Sequence, residues 1–67
     1  MNVFLNNQQH FLERKKKLSV FFTELKIDSS KGIAIAVNDS VIPKSEWENF
    51  ILNDNDKITL IRATAGG

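Results

Sequence analysis

No cysteine occurs in the 67 residues. That excludes a disulfide framework, and with it any thiolate acting as nucleophile or metal ligand. The single histidine, His10, has no second ligand at metal spacing. It reads as a partly exposed strand residue, and no metal is expected. No apolar run approaches the ~20 residues that cross a bilayer. The opening "MNVFLNNQQH" has neither the basic start nor the long apolar stretch of a signal peptide. A membrane is therefore not an expected partner, and a cytoplasmic location is the expectation. Nine Lys+Arg stand against eight Asp+Glu, for a net charge of +1. A nucleic-acid binder would show a larger basic excess. Only three glycines are present, and none forms a phosphate-cradling loop.

The size sets a further limit. A domain this small buries only about 60% of the surface its chain exposes. One domain over residues 1–67 is expected, with a single core and no deep active site. Apolar residues make up 42% of the chain, enough to build that core.

Hydrophobic periodicity then gives the order of elements. In "MNVFLN" Val3 and Leu5 share one face, while Asn2, Phe4 and Asn6 share the other. Asn6-Asn7 is turn material, because Asn tolerates the left-handed conformation. A second strand, "QQHFLE", completes a hairpin. "RKKK", Arg14 to Lys17, reads as a solvated turn, with a partner-facing basic patch as the sharper alternative. Leu18, Phe21, Phe22 and Leu25 form one apolar helical stripe. Lys17 stands where a Ser or Thr cap would be expected. "IDSSKG" breaks the helix, and "IAIAVN" alternates again. Ile33, Ile35 and Val37 share one face; Ala34 and Ala36 share the other.

"VIPKSEWENF" holds a short strand ended by Pro43, then one helical turn, with Trp47 as a lid on the core. "NDND" is a tight turn with Asn55 supplying the positive φ. Its Asp54 and Asp56 are expected to solvate the chain. "KITLIRAT" is the last strand, with Ile58 and Leu60 inward and Thr59, Ile61 and Ala63 outward. The order is ββαβββ. Strands segregated from one helix give an α+β domain, with four to five strands packed on that helix.

Chemistry inside the chain is sparse, so an enzyme is not expected. The tail is different. Ala65, Gly66 and Gly67 extend past the last strand and are expected to be mobile. Glycine has no Cβ, so this end can thread a narrow channel in a partner. A terminal carboxylate is a poor electrophile, but a partner could activate it as an acyl-adenylate and a sulfur nucleophile could then attack it.

Over essentially its whole length the chain resembles the ThiS family of sulfur carriers, small ubiquitin-like β-grasp proteins. The specific parts are "AVNDSVIPKSEW" and the terminal "AGG". Val37, Asn38, Val41, Ile42, Pro43, Lys44 and Trp47 fit the first pattern. Asn55 stands where glycine is usual, and "ERKKK" replaces a small glycine-containing turn. The resemblance implies that a ThiF-type adenylating enzyme, using ATP and Mg, activates Gly67. Sulfur from a persulfide donor such as a cysteine desulfurase then gives a C-terminal thiocarboxylate. Thiazole synthase (ThiG) accepts that sulfur in thiamin biosynthesis. The chain itself would bind no cofactor. Two other readings stay open, a MoaD-type carrier for molybdopterin synthesis and a ubiquitin-like modifier; a plain β-grasp interaction module is a third. In a β-grasp fold the third and last strands are neighbours. Ala34, Ala36, Thr59, Ile61 and Ala63 would then form a flat apolar patch on which the activating enzyme docks.

Overall fold

The computed structural model describes residues 1–27 and 32–62. The expected mobile tail at 65–67, and Ala63 before it, lie outside the described residues. Five strands form one sheet in the order β2-β1-β5-β3-β4. They are β1 (Asn2–Leu5), β2 (Gln8–Phe11), β3 (Ile33–Val37), β4 (Ser40–Val41) and β5 (Lys57–Arg62). A single α-helix, α1 (Leu18–Glu24), packs on one face, and a 3-10 turn (Lys44–Glu46) lies between β4 and β5. The ββαβββ order, the five strands and the single helix follow the sequence expectation.

Each hairpin closes through two residues in the left-handed region, Asn6 (φ 48) with Asn7 (φ 70), and Asn38 (φ 52) with Asp39 (φ 70). Two successive positive φ values match the right-handed twist of the flanking strands, and Asn and Asp tolerate them well. The hairpins never touch each other in the sheet. β5 lies between them, parallel to β1 and antiparallel to β3.

Alternation along the strands sends Val3, Ile35, Val37 and Ile58 into the core, each at most 4% exposed. They meet Leu18, Phe21 and Phe22 of α1. Leu25 lies just past the helix as its C-cap and is only partly buried against the same cluster. Trp47 closes the core as expected, 5% exposed, with its ring 5.7 Å from that of Phe22 at 78°. Its indole N–H donates to the Ile42 carbonyl at 2.8 Å, which removes the cost of burying a polar atom. His10 is the partly buried strand residue expected, and its ring meets Phe21 edge-on at 5.6 Å.

The uncapped helix start has a physical explanation. Lys17 makes no side-chain cap. The first-turn amides of Leu18 and Ser19 instead donate to the carbonyls of Phe50 (2.8 Å) and Trp47 (3.2 Å). Main-chain oxygens from the β4–β5 connection thus satisfy donors that a Ser or Thr would otherwise serve. At the other end Lys26 (φ 59) takes the position glycine usually fills. Its N–H donates to Thr23, and that of Ile27 to Phe22.

One expectation is overturned. Asp54 is exposed and accepts from the Asn2 amide at 2.7 Å. Asp56, however, is 7% exposed. Its carboxylate accepts from Asn38 Nδ2 at 2.9 Å and from the Asn53 amide at 2.7 Å. It therefore does not solvate the turn but ties it to the β3–β4 hairpin. Removing it would leave two part-buried donors without this partner. We expect Asp56→Ala to cost about 1–3 kcal/mol in urea unfolding, and Asp54→Ala clearly less. Equal losses would contradict this role.

Candidate functional site

The site is the sheet face opposite the helix, together with the end of β5. Register decides which side chains share that face. Ala34 pairs with Ile61 and Ala36 with Thr59 across β3 and β5. These four residues, expected from alternation alone, are therefore brought together. Ala34, Thr59 and Ile61 are exposed, Ile61 by 59%, while Ala36 is half-buried. Ala63 would continue the row but lies outside the described residues, as do Ala65, Gly66 and Gly67.

The face is wider than the sequence reading placed it. Val41 pairs with Ala36 and is 73% exposed. Phe4 pairs with Lys57 in the parallel ladder and joins the same side. Phe11 lies opposite Asn2 and is 70% exposed. The alternation of "MNVFLN" had already put Phe4 on the face opposite Val3 and Leu5. Phe11 and Val41 required the hairpin registers, which the two-residue turns fix. Phe11, Phe4, Ile61 and Val41 therefore share the outer side of the sheet, with Lys57 and Thr59 between Phe4 and Ile61. Exposed apolar groups gathered on one side of a sheet mark an interaction surface more often than scattered ones do.

The two sides of β5 are held by the same device. Asn38 would be the next residue in the β3 ladder, and its amide donates to the Lys57 carbonyl at 2.8 Å. The left-handed turn swings its own carbonyl away. Its side-chain Oδ1 takes that place, accepting from the Lys57 amide at 3.0 Å. Asn6 does the same on the β1 side. Its amide donates to the Ile58 carbonyl at 2.9 Å, and its Oδ1 accepts from the Leu60 amide at 3.0 Å. Both lanes beside β5 are thus extended by a carboxamide standing in for a peptide group.

Among the described residues no three His, Asp or Glu side chains gather into a metal-binding cluster. No helix there is long and apolar enough to cross a membrane. In the "RKKK" segment Lys16 pairs with Glu24, the last residue of α1. What the geometry offers is an exposed sheet face on the strand that precedes the C-terminal residues in sequence.

A mixed sheet wrapped on one helix, with its last strand central and leading to the tail, defines a β-grasp domain. The comparisons extend this. A crystal structure of the thiamine biosynthesis protein ThiS from Geobacter metallireducens superposes with a TM-score of 0.85, at 16% identity and full coverage of both chains. A solution structure of a thiamine biosynthesis protein from the same organism gives 0.77, covering all of this chain and 88% of that one. At such identity these establish the fold. The model of the ThiS family matches residues 3–67. The chain belongs to the ThiS family. It is 39% identical over 36 residues to the sulfur carrier protein ThiS of Escherichia coli, an alignment spanning 54% of each chain. It is also 27% identical over its full 67 residues to a thiazole synthase of Paramagnetospirillum magneticum, of which it covers 20%.

The inward and outward residues of β5 separate in a direct test. Ile58→Ala should cost about 2–4 kcal/mol as a core cavity. Ile61→Asp should stay within about 0.5 kcal/mol of the parent in thermal unfolding. Unfolding by the Ile61 change would mean that the outer face belongs to the core.

Proposed function

We propose that this chain is a sulfur carrier of thiamin biosynthesis, with Gly67 bearing the sulfur as a thiocarboxylate. The family match, which runs through Gly67, carries this reading. Identity to a sulfur carrier protein over part of the chain supports it. The alignment of the whole chain with a fifth of a thiazole synthase supports that enzyme class as the acceptor. The chain acts as co-substrate. A ThiF-type adenylating enzyme, with ATP and Mg, joins AMP to the Gly67 carboxylate and releases pyrophosphate. The terminal sulfur of a persulfide then attacks the acyl carbon and displaces AMP, and a second thiol cleaves the resulting acyl disulfide, leaving as a disulfide with the donor thiol and releasing the thiocarboxylate. Thiazole synthase takes the sulfur from the resulting thiocarboxylate. These steps belong in the cytoplasm, where ATP and the partner enzymes are available.

The division of labour follows from the residues. The partners supply catalytic groups, and the carrier supplies a thin reactive end and a rigid grip. Ala65, Gly66 and Gly67 thread the adenylation site, since two residues without Cβ need the narrowest channel. Ala34, Ala36, Thr59, Ile61 and Ala63 dock, with Ile61 as the anchor among small neighbours.

Incubation with the cognate adenylating enzyme, ATP and a sulfur donor should exchange one oxygen for sulfur in the C-terminal peptide by mass. Deletion of Gly67 should abolish the exchange, and a truncated chain that still gained sulfur would sink the assignment. Isopeptide conjugates in place of thiocarboxylate would point to a protein modifier. Ile61→Asp should weaken binding to the adenylating enzyme by about 1–3 kcal/mol in calorimetry, through lost apolar contact and a buried unpaired charge. Unchanged affinity would move the docking face elsewhere.

A further inference from the structure

β1 pairs with β5 only at Phe4↔Lys57 and Leu5↔Ile58. The main-chain groups of Asp56 and Ile58 face β1, since they accept from the amides of Phe4 and Asn6. Alternation along a strand turns those of Leu60 the same way. Yet the chain leaves the β1 direction at Asn6, which has φ 48. Leu60 would then present an unpaired N–H and C=O just where β5 runs out toward the tail. The Asn6 carboxamide meets both. Oδ1 accepts from the Leu60 amide at 3.0 Å, and Nδ2 donates to its carbonyl at a longer 3.4 Å. On the far side β3 continues to support β5 as far as Ile33↔Arg62.

We propose that Asn6 is a positioning residue for the C-terminal tail. Its carboxamide completes the β1 lane at Leu60, so that β5 is held from both sides up to that residue and the chain beyond it starts from a fixed base relative to the docking face. This rests on the sulfur-carrier reading. Without the clamp, the end of β5 hangs from β3 alone and is free to twist about that edge. Docking through the outer face survives, but Gly67 arrives at the adenylation site less well aimed. Aim of this kind governs the chemical step more than the binding step.

A turn role alone would explain an asparagine here, so the test must separate the two. Asn6→Gly keeps a residue suited to positive φ and removes the carboxamide. Asn7→Gly, at φ 70 in the same turn, is the matched control. In Asn6→Gly the Leu60 amide should exchange with solvent about tenfold faster, the equivalent of one lost hydrogen bond. The Phe4 amide, at the other end of the β1–β5 ladder, should keep its parent rate. With the adenylating enzyme, kcat for tail adenylation should fall about threefold to tenfold while KM stays within about twofold. Asn7→Gly should change neither. Unchanged Leu60 exchange in Asn6→Gly, or kinetics equal to those of Asn7→Gly, would overturn the proposal. So would a rise in KM with kcat intact, since that would make Asn6 part of the docking contact. A wild-type chain that is never adenylated would remove the functional reading, and the clamp would then stand or fall on the exchange rates alone.

Discussion

The fold depends on how β5 is gripped. Two hairpins, β1–β2 and β3–β4, have no ladder between them, and only β5 joins them into one sheet. Its inward residue Ile58 is 1% exposed and sits in the cluster that α1 covers. Each hairpin turns away from β5 at an asparagine. Each time the side-chain amide replaces the main-chain carbonyl that the turn removes. Both bonds lie in exposed positions, so they extend the ladder on either side of β5 where water would otherwise take the groups. The turn residue and the ladder are therefore one solution to one constraint. Asn and Asp both tolerate positive φ, but only Asn also carries a donor and an acceptor.

The same economy recurs around α1. Main-chain carbonyls of Phe50 and Trp47 take the first helix amides, so the basic run before the helix needs no capping residue. Leu52 donates back to the Lys16 carbonyl at 2.9 Å, which fixes that connection against the helix start. Buried Trp47 holds it from inside through its bond to Ile42. The segment "AVNDSVIPKSEW" is thus explained by packing and ladder closure rather than by chemistry. Asn38 closes the ladder, Pro43 precedes the 3-10 turn, and Trp47 seals the core.

Much of this was legible in the sequence because its signals are local. Period-two alternation assigned both faces of β3 and β5 correctly, and Asn6-Asn7 located the first turn. Residues 18–25 gave the helix stripe, though Leu25 proved to be its cap. What could not be read is non-local. Asp56 looked like one of several solvating carboxylates, because its partner Asn38 is distant in sequence. Asn6 looked like turn material, because the strand it completes lies at the other end of the chain. Phe11 and Val41 joined the outer face only through cross-strand register. The reading of the chain end as the reactive group rests on "AGG" and the family likeness, since residues 63–67 lie outside the described structure.

The absence of cysteine gives the central claim its most direct measurement. A chain without cysteine has no thiolate of its own, and residues 63–67 carry no amine, imidazole or thioether, so a thiol-alkylating reagent at neutral pH should modify the C-terminal peptide only where a thiocarboxylate is present. The chain would be purified from cells with active thiamin synthesis, treated with such a reagent, and its C-terminal peptide sequenced by tandem mass spectrometry. We expect a fraction of that peptide to carry one alkyl group on a sulfur at Gly67, absent from chain made where no adenylating enzyme is present. A C-terminal peptide that is always an unmodified carboxylate, in cells making thiamin, would contradict a sulfur-carrying role.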